Sequence, residues 1–229
     1  MTAGPHDPAV ARPGWAEPIV GLSIFAAVGF GGGSQLHRLA LSPTVVGLIF
    51  TGLSGVAGLL GFAGAFLVRM RHVAAFGVRG TTRRWLLLAV AAGLVAFLAK
   101  GLLALVLPAI FHGTKNVQQV YATGGGGGPA SLALATFCLA VLTPVGEELL
   151  FRGVLMSALL RFSAVIAVGG SAAVLAAMHG LNAVTLTAFV EGLFAAEVFR
   201  RSGSVWTAVV VHVVFNLPTV PALVFGASG

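Results

Sequence analysis

Six acidic residues are all that the 229-residue chain contains, and four of them, Glu147, Glu148, Glu191 and Glu197, lie in its apolar C-terminal half. A carboxylate inside a bilayer costs about 2.5–3.5 kcal/mol on insertion scales, so each one there needs a chemical or structural reason. Two histidines, His179 and His212, also fall inside apolar stretches, and Asn216 follows His212 by one helical turn. In the run Glu147-Glu148-Leu149-Leu150-Phe151-Arg152, a four-residue spacing sets Glu148 and Arg152 on one helix face, where they can pair. Glu147 is turned about 100° away from that face. A carboxylate beside imidazoles in a pocket of low dielectric is suited to take a proton from water, which is general-base hydrolysis chemistry.

Taken singly, these residues have plainer uses. Adjacent glutamates soon after Pro144 can serve as partners of a helix N-terminus. Each histidine can be a hydrogen-bonding group between helices, and Arg152 can snorkel to an interface. Glu197 stands beside Arg200 and Arg201, where ion pairing accounts for it, whereas Glu191 is deeper and has no such explanation. Depth argues for a joint role. At ~1.5 Å per residue, Glu147 lies roughly 21 Å from Arg161, His179 roughly 24 Å from Ser163 and His212 roughly 17 Å from Arg201, all near mid-bilayer.

The elements that must position them are membrane helices. The chain is 58% hydrophobic and 8% charged, too little charge to cover a water-facing surface, for which about 25% is usual. Apolar stretches at 18–36, 43–68, 85–108, 130–151, 162–181, 183–199 and 203–226 predict an all-α polytopic bundle of seven spans. Pro218 and Pro221 can split the last one, giving eight. Residues 1–17 are Pro-rich and polar and are expected to form a disordered cytoplasmic tail without a cleaved signal peptide. Residues 18–229 then make one integral membrane domain.

Arg69, Arg71, Arg79, Arg83 and Arg84 crowd one short loop, which the positive-inside rule places in the cytoplasm together with the Arg161 and Arg200-Arg201 loops. Residues 111–129, with the glycine run Gly124 to Gly128, are expected to be a flexible external loop. Gly52, Gly55, Gly58, Gly61 and Gly64 fall three apart in the second span, a spacing that lets helices pack closely. The net charge of +7 comes from cations dispersed at helix ends and not from a basic stripe, so nucleic acid is not an expected partner. The lone cysteine, Cys138, excludes an intrachain disulfide or a thiolate metal cluster.

Three motifs resemble the CAAX protease and bacteriocin-processing family of intramembrane endopeptidases, also called the CPBP or ABI family. Glu147-Glu148-x-x-x-Arg152-Gly153 is similar to its E-E-x-x-F-R-G motif. Leu175-Ala176-Ala177-Met178-His179 is similar to F-x-x-x-H with the aromatic replaced. His212-Val213-Val214-Phe215-Asn216 is similar to H-x-x-x-N, with a lead-in Arg201-Ser202-Gly203-Ser204-Val205-Trp206. The resemblance puts a protease core at about 130–217 in a multi-pass protein of the cell membrane. It implies that Glu147 activates a water, that His179 and His212 complete the site, that Asn216 stabilises the oxyanion and that Glu148 and Arg152 support it. The substrate would be a membrane-associated or lipidated peptide or protein. The metal question stays open, because Glu148, His179 and His212 would satisfy a zinc site with one open position, and the glutamate could equally act without metal. Other intramembrane mechanisms fit less well, since Asp7 is the only aspartate and H-E-x-x-H does not occur. The alternative is a catalytically idle membrane scaffold of the same fold.

Overall fold

A computed structural model of the protein describes residues 13–110 and 117–226. Residues 1–12, most of the expected tail, lie outside the described residues, as does 111–116 of the expected external loop. Among the described residues there are eight main helices and no strand: α1 (Ala16–Gln35), α2 (Pro43–Val68), α3 (Arg83–Ile110), α4 (Gln119–Gly125), α5 (Pro129–Leu159), α6 (Ala164–Ala177), α7 (Ala183–Ser202) and α8 (Val205–Gly226). Five of them, α1, α2, α3, α5 and α8, are long and apolar enough to cross a membrane. The other two stretches that the sequence offers as spans are α6, of 14 residues, and α7, which carries Glu191 and Glu197.

Local chemistry sets where the helices start and stop. Ser42 caps α2, accepting from the Val45 amide ahead of Pro43, and Ser163 caps α6 by accepting from Ile166. Asn182 and Thr185 form a reciprocal capping box at the start of α7. Gly203 closes α7 in the left-handed conformation, φ 68°, which a side chain would disfavour. Leu217 and Pro218 make the turn that divides α8, as the prolines suggest.

The glycine face of α2 packs against α1, α4 and α5, and backbone meets backbone there. A Cβ on Gly58 would stand 2.4 Å from the carbonyl carbon and oxygen of Gly146, the residue that precedes Glu147 on α5. The same close approach corrects the reading of the glycine run as a flexible loop. Gly124 and Gly125 end helix α4 and are buried, and a Cβ on Gly124 would lie 2.6 Å from the Gly47 backbone. Glycine serves there as contact surface between two helices. The tail boundary also moves, because the side chain of Glu17 is fully buried at the start of α1, accepting from the Gly14 amide at 2.7 Å and from Arg69 Nε at 3.0 Å.

Two stretches of α5, Cys138–Leu142 and Leu149–Met156, have π-type turns on either side of the segment Thr143–Glu148. Such turns take one more residue than an α turn and re-aim the side chains around them. The core gathers around α5, with Leu150, Phe151, Val154 and Met156 fully buried.

Candidate active site

Three helices bring charged side chains together in this core. α5 supplies Glu148 and Arg152, α7 supplies Glu191 and α8 supplies His212, all of them buried. Arg152 Nε pairs with Glu148 Oε2 at 3.0 Å, the partner that the four-residue spacing predicts. Arg152 Nη2 donates to the carbonyl of Gly192 at 2.9 Å, tying α5 to α7. His212 Nδ1 lies 2.9 Å from Glu148 Oε1. A carboxylate only accepts, so Nδ1 carries the hydrogen in that bond, the ring orientation is fixed, and Nε2 is left for chemistry.

Glu191 completes the group. Its oxygens lie 4.0 Å from Arg152 Nη2 and 3.8 Å from His212 Nδ1, and neither oxygen has a hydrogen-bond partner among the described residues. Two carboxylates therefore face one guanidinium and one imidazole out of water, an arrangement whose desolvation cost several kcal/mol per ion must be offset by mutual attraction. The sequence left Glu191 without a role. The signal that singles it out is its depth within an apolar stretch, away from Arg200 and Arg201.

Glu147 is also buried, at 1% exposure, and its Oε2 has no hydrogen-bond partner among the described residues. It lies near enough to act electrostatically on both Glu191 and His212. Its position is fixed from the α2 side. Thr143 Oγ1 donates to the carbonyl of Thr51 at 3.1 Å, and Gly146 sits against Gly55. Asn216, one turn beyond His212, donates from Nδ2 to the Leu139 carbonyl at 3.1 Å, which ties α8 to α5 on the side of the site.

His179 is placed differently. It stands half-buried just after α6, its Nδ1 3.0 Å from the Leu175 carbonyl, while Asn182 Nδ2 donates to its backbone oxygen. Among the described residues, no hydrogen bond or ion pair joins His179 to the buried cluster. Glu148, Glu191 and His212 each offer a donor atom, all within 4.8 Å of one another. Carboxylate and imidazole are zinc donors, so this trio fits a three-ligand zinc site by chemistry and spacing. His179, which the sequence offers as a third ligand, is not in the trio.

Residues 129–218, which contain Glu147 and every member of the cluster, match the family model described as Rce1-like, type II CAAX prenyl endopeptidase Rce1-like. No curated protein and no solved structure matches the chain.

Proposed function

We infer that the chain is, on the match over residues 129–218, a member of the Rce1-like type II CAAX prenyl endopeptidases, within the CPBP family. This integral membrane protein is on that reading an intramembrane endopeptidase of the cell membrane, hydrolysing a peptide bond in a membrane-associated or lipidated substrate. The observation that carries the reading is a pair of adjacent buried glutamates in two different states. Glu148 is taken up by Arg152 and His212, whereas Glu147 keeps an oxygen with no hydrogen-bond partner among the described residues and is the one of the pair left to act as a base.

In this reading Glu147 takes a proton from water as the water oxygen bonds to the scissile carbonyl carbon. The proton then passes to the departing amide nitrogen as the C–N bond breaks, which returns Glu147 to its starting state. His212 is held by Glu148 with Nε2 toward the reacting oxygen atoms. Asn216 has a second amide hydrogen beyond the one given to Leu139, and this hydrogen is the donor for the developing oxyanion. His179 would enter from the end of α6 when substrate is bound. A zinc ion held by Glu148, Glu191 and His212 would supply Lewis acidity and a more acidic water.

The test is cleavage of a membrane-presented peptide by the purified protein and its Glu147→Gln variant, each with and without a chelator. Gln keeps size and polarity but cannot accept the proton, so activity should fall roughly 10²–10⁴-fold while the protein still inserts and folds. Undiminished cleavage would remove Glu147 from the mechanism. If the wild-type protein cleaved no peptide at all, the idle scaffold would take its place.

A further inference from the structure

Arginines from two distant parts of the chain meet where α3 begins and α7 ends. Arg79 Nε donates to the Gly203 carbonyl at 2.6 Å, Ser204 Oγ donates to the Arg79 carbonyl, and the Val205 amide donates to that of Gly77. The loop ahead of α3 is thus fastened to the turn between α7 and α8. Further along, α3 lies against α8 at Gly93, where an added Cβ would stand 2.8 Å from the Val211 carbonyl oxygen. Counted back from that contact at ~1.5 Å per residue, Arg83 and Arg84 lie roughly 14–15 Å away and the start of α8 roughly 9 Å. Both arginines therefore stand at the level of the turn that follows α7, beside Arg200 and Arg201.

One carboxylate serves this group. Glu197 accepts from Arg200 Nε at 2.8 Å and Nη2 at 2.7 Å, and from Arg201 Nε as well. Among the described residues, no carboxylate pairs with Arg79, Arg83 or Arg84. Arg79 is held through Nε, so its terminal nitrogens keep hydrogens to give, and Arg83, Arg84 and Arg201 are exposed. Arg83 and Arg84 also occupy the first turn of α3, where a helix favours negative charge. Five guanidinium groups around one carboxylate leave an excess of positive charge for an anion to offset.

The surroundings indicate which anion. Leu86, Leu87 and Leu88 are exposed within two turns of the α3 arginines, and Trp206 is exposed at the start of α8. Apolar and aromatic surface directly beside a band of charge marks the boundary between headgroups and acyl chains. The planar fork of arginine matches phosphate oxygens in pairs, and basic pockets between membrane helices take the headgroups of polyanionic lipids. A lipid meets both surfaces, with phosphate on the arginines and acyl chains along α3, whereas a soluble anion meets the charge alone.

We propose that Arg79, Arg83, Arg84 and Arg201 form a site for the headgroup of an anionic phospholipid carrying two phosphates, in the leaflet at that end of the bundle. The site is apart from the buried carboxylates and does not depend on the endopeptidase reading.

The experiment titrates the purified full chain in non-ionic detergent with cardiolipin, phosphatidylglycerol or phosphatidylcholine and counts bound lipid by native mass spectrometry. Cardiolipin should saturate at a single lipid per chain and bind about tenfold more tightly than phosphatidylglycerol, with no saturable binding of phosphatidylcholine. Arg83→Gln with Arg84→Gln should weaken cardiolipin roughly 25-fold, about fivefold for each charge near the surface. Arg71→Gln with Arg161→Gln removes the same charge from the same end outside the cluster, and should change the affinity by less than about twofold. Equal weakening by the two pairs would show diffuse attraction to a basic surface and overturn the proposal. So would equal affinity for the two anionic lipids. Displacement of cardiolipin by inorganic pyrophosphate at matching concentration would assign the arginines to a soluble phosphate and overturn the lipid. If the Arg83 and Arg84 double variant does not fold, Arg201→Gln takes its place and should weaken cardiolipin about fivefold.

Discussion

Glu191 is the residue whose contribution is least expected from the three motifs and most constrained by its surroundings. It holds a second negative charge within 4 Å of both Arg152 and His212 without a hydrogen bond to either. Those distances separate its role from that of Glu148. Removing Glu148 breaks a direct bond to His212, whereas altering Glu191 changes the field in which Arg152 and His212 sit and removes a potential metal donor. Glu191→Gln keeps the shape and should leave thermal unfolding within a few degrees of wild type while lowering cleavage about tenfold and shifting its pH profile. Glu191→Leu should in addition destabilise the fold by roughly 1–3 kcal/mol, because Arg152 loses a counter-charge where no water replaces it. Glu191→Gln with wild-type rate and pH profile would show that the carboxylate only fills space. In the sequence the pairing of Glu148 with Arg152 is legible, since it depends on spacing within one helix. The position of Glu191 opposite them depends on how α7 is turned against α5, which no local pattern records.

Among the helices, the contact of α2 with α5 matters most for the site, because it holds the segment that presents Glu147. The glycine spacing of α2 is visible in the sequence and correctly suggests close packing. Its partner surface is less visible, since Gly146 looks like an ordinary residue between Val145 and Glu147. A Cβ on Gly146 would stand 2.0 Å from the Gly55 carbonyl oxygen, and backbone cannot swing aside as a side chain can. Gly146→Ala should force α2 and α5 apart, lowering stability by about 1–3 kcal/mol and displacing Glu147, with a fall in activity larger than the loss of folded protein. Gly101→Ala, on α3 where an added Cβ meets nothing within 4 Å, is the control and should be neutral or mildly stabilising. Equal behaviour of the two variants in thermal unfolding and cleavage would mean that the close approach does not position the site. The short helix α4 escaped the sequence reading for a related reason. Five consecutive glycines have the composition of a linker, and only their distant neighbours, Gly47 for Gly124 and Val220 and Val224 for Gly125, turn two of them into packing surface.

Over the whole molecule, eight arginines gather at one end of the bundle, and the contacts that show it come from distant parts of the chain. Arg69 pairs with Glu17, which joins the end of α2 to the start of α1. Arg161 lies over the rings of Trp15 and Phe162, which brings the end of α5 to the same level. Arg79 Nε donates to the Gly203 carbonyl and Ser204 Oγ donates to the Arg79 carbonyl, so the arginine-rich loop is fastened to the turn between α7 and α8. Arg71, Arg83, Arg84, Arg200 and Arg201 belong to the same end by position. Exposed Trp15 and Phe162 beside Arg161 have the make-up of an interfacial belt. The loop rule that places 69–84 in the cytoplasm thus applies to a packed surface, with more charge than any single loop shows. Gly80 lies in that surface, exposed, with open space around its Cβ position. In a Cys138→Ser background, Gly80→Cys should react with a membrane-impermeant maleimide in inverted vesicles and stay unlabelled in intact cells until they are permeabilised. Labelling in intact cells would reverse the orientation, and with it the side from which substrate must reach Glu147.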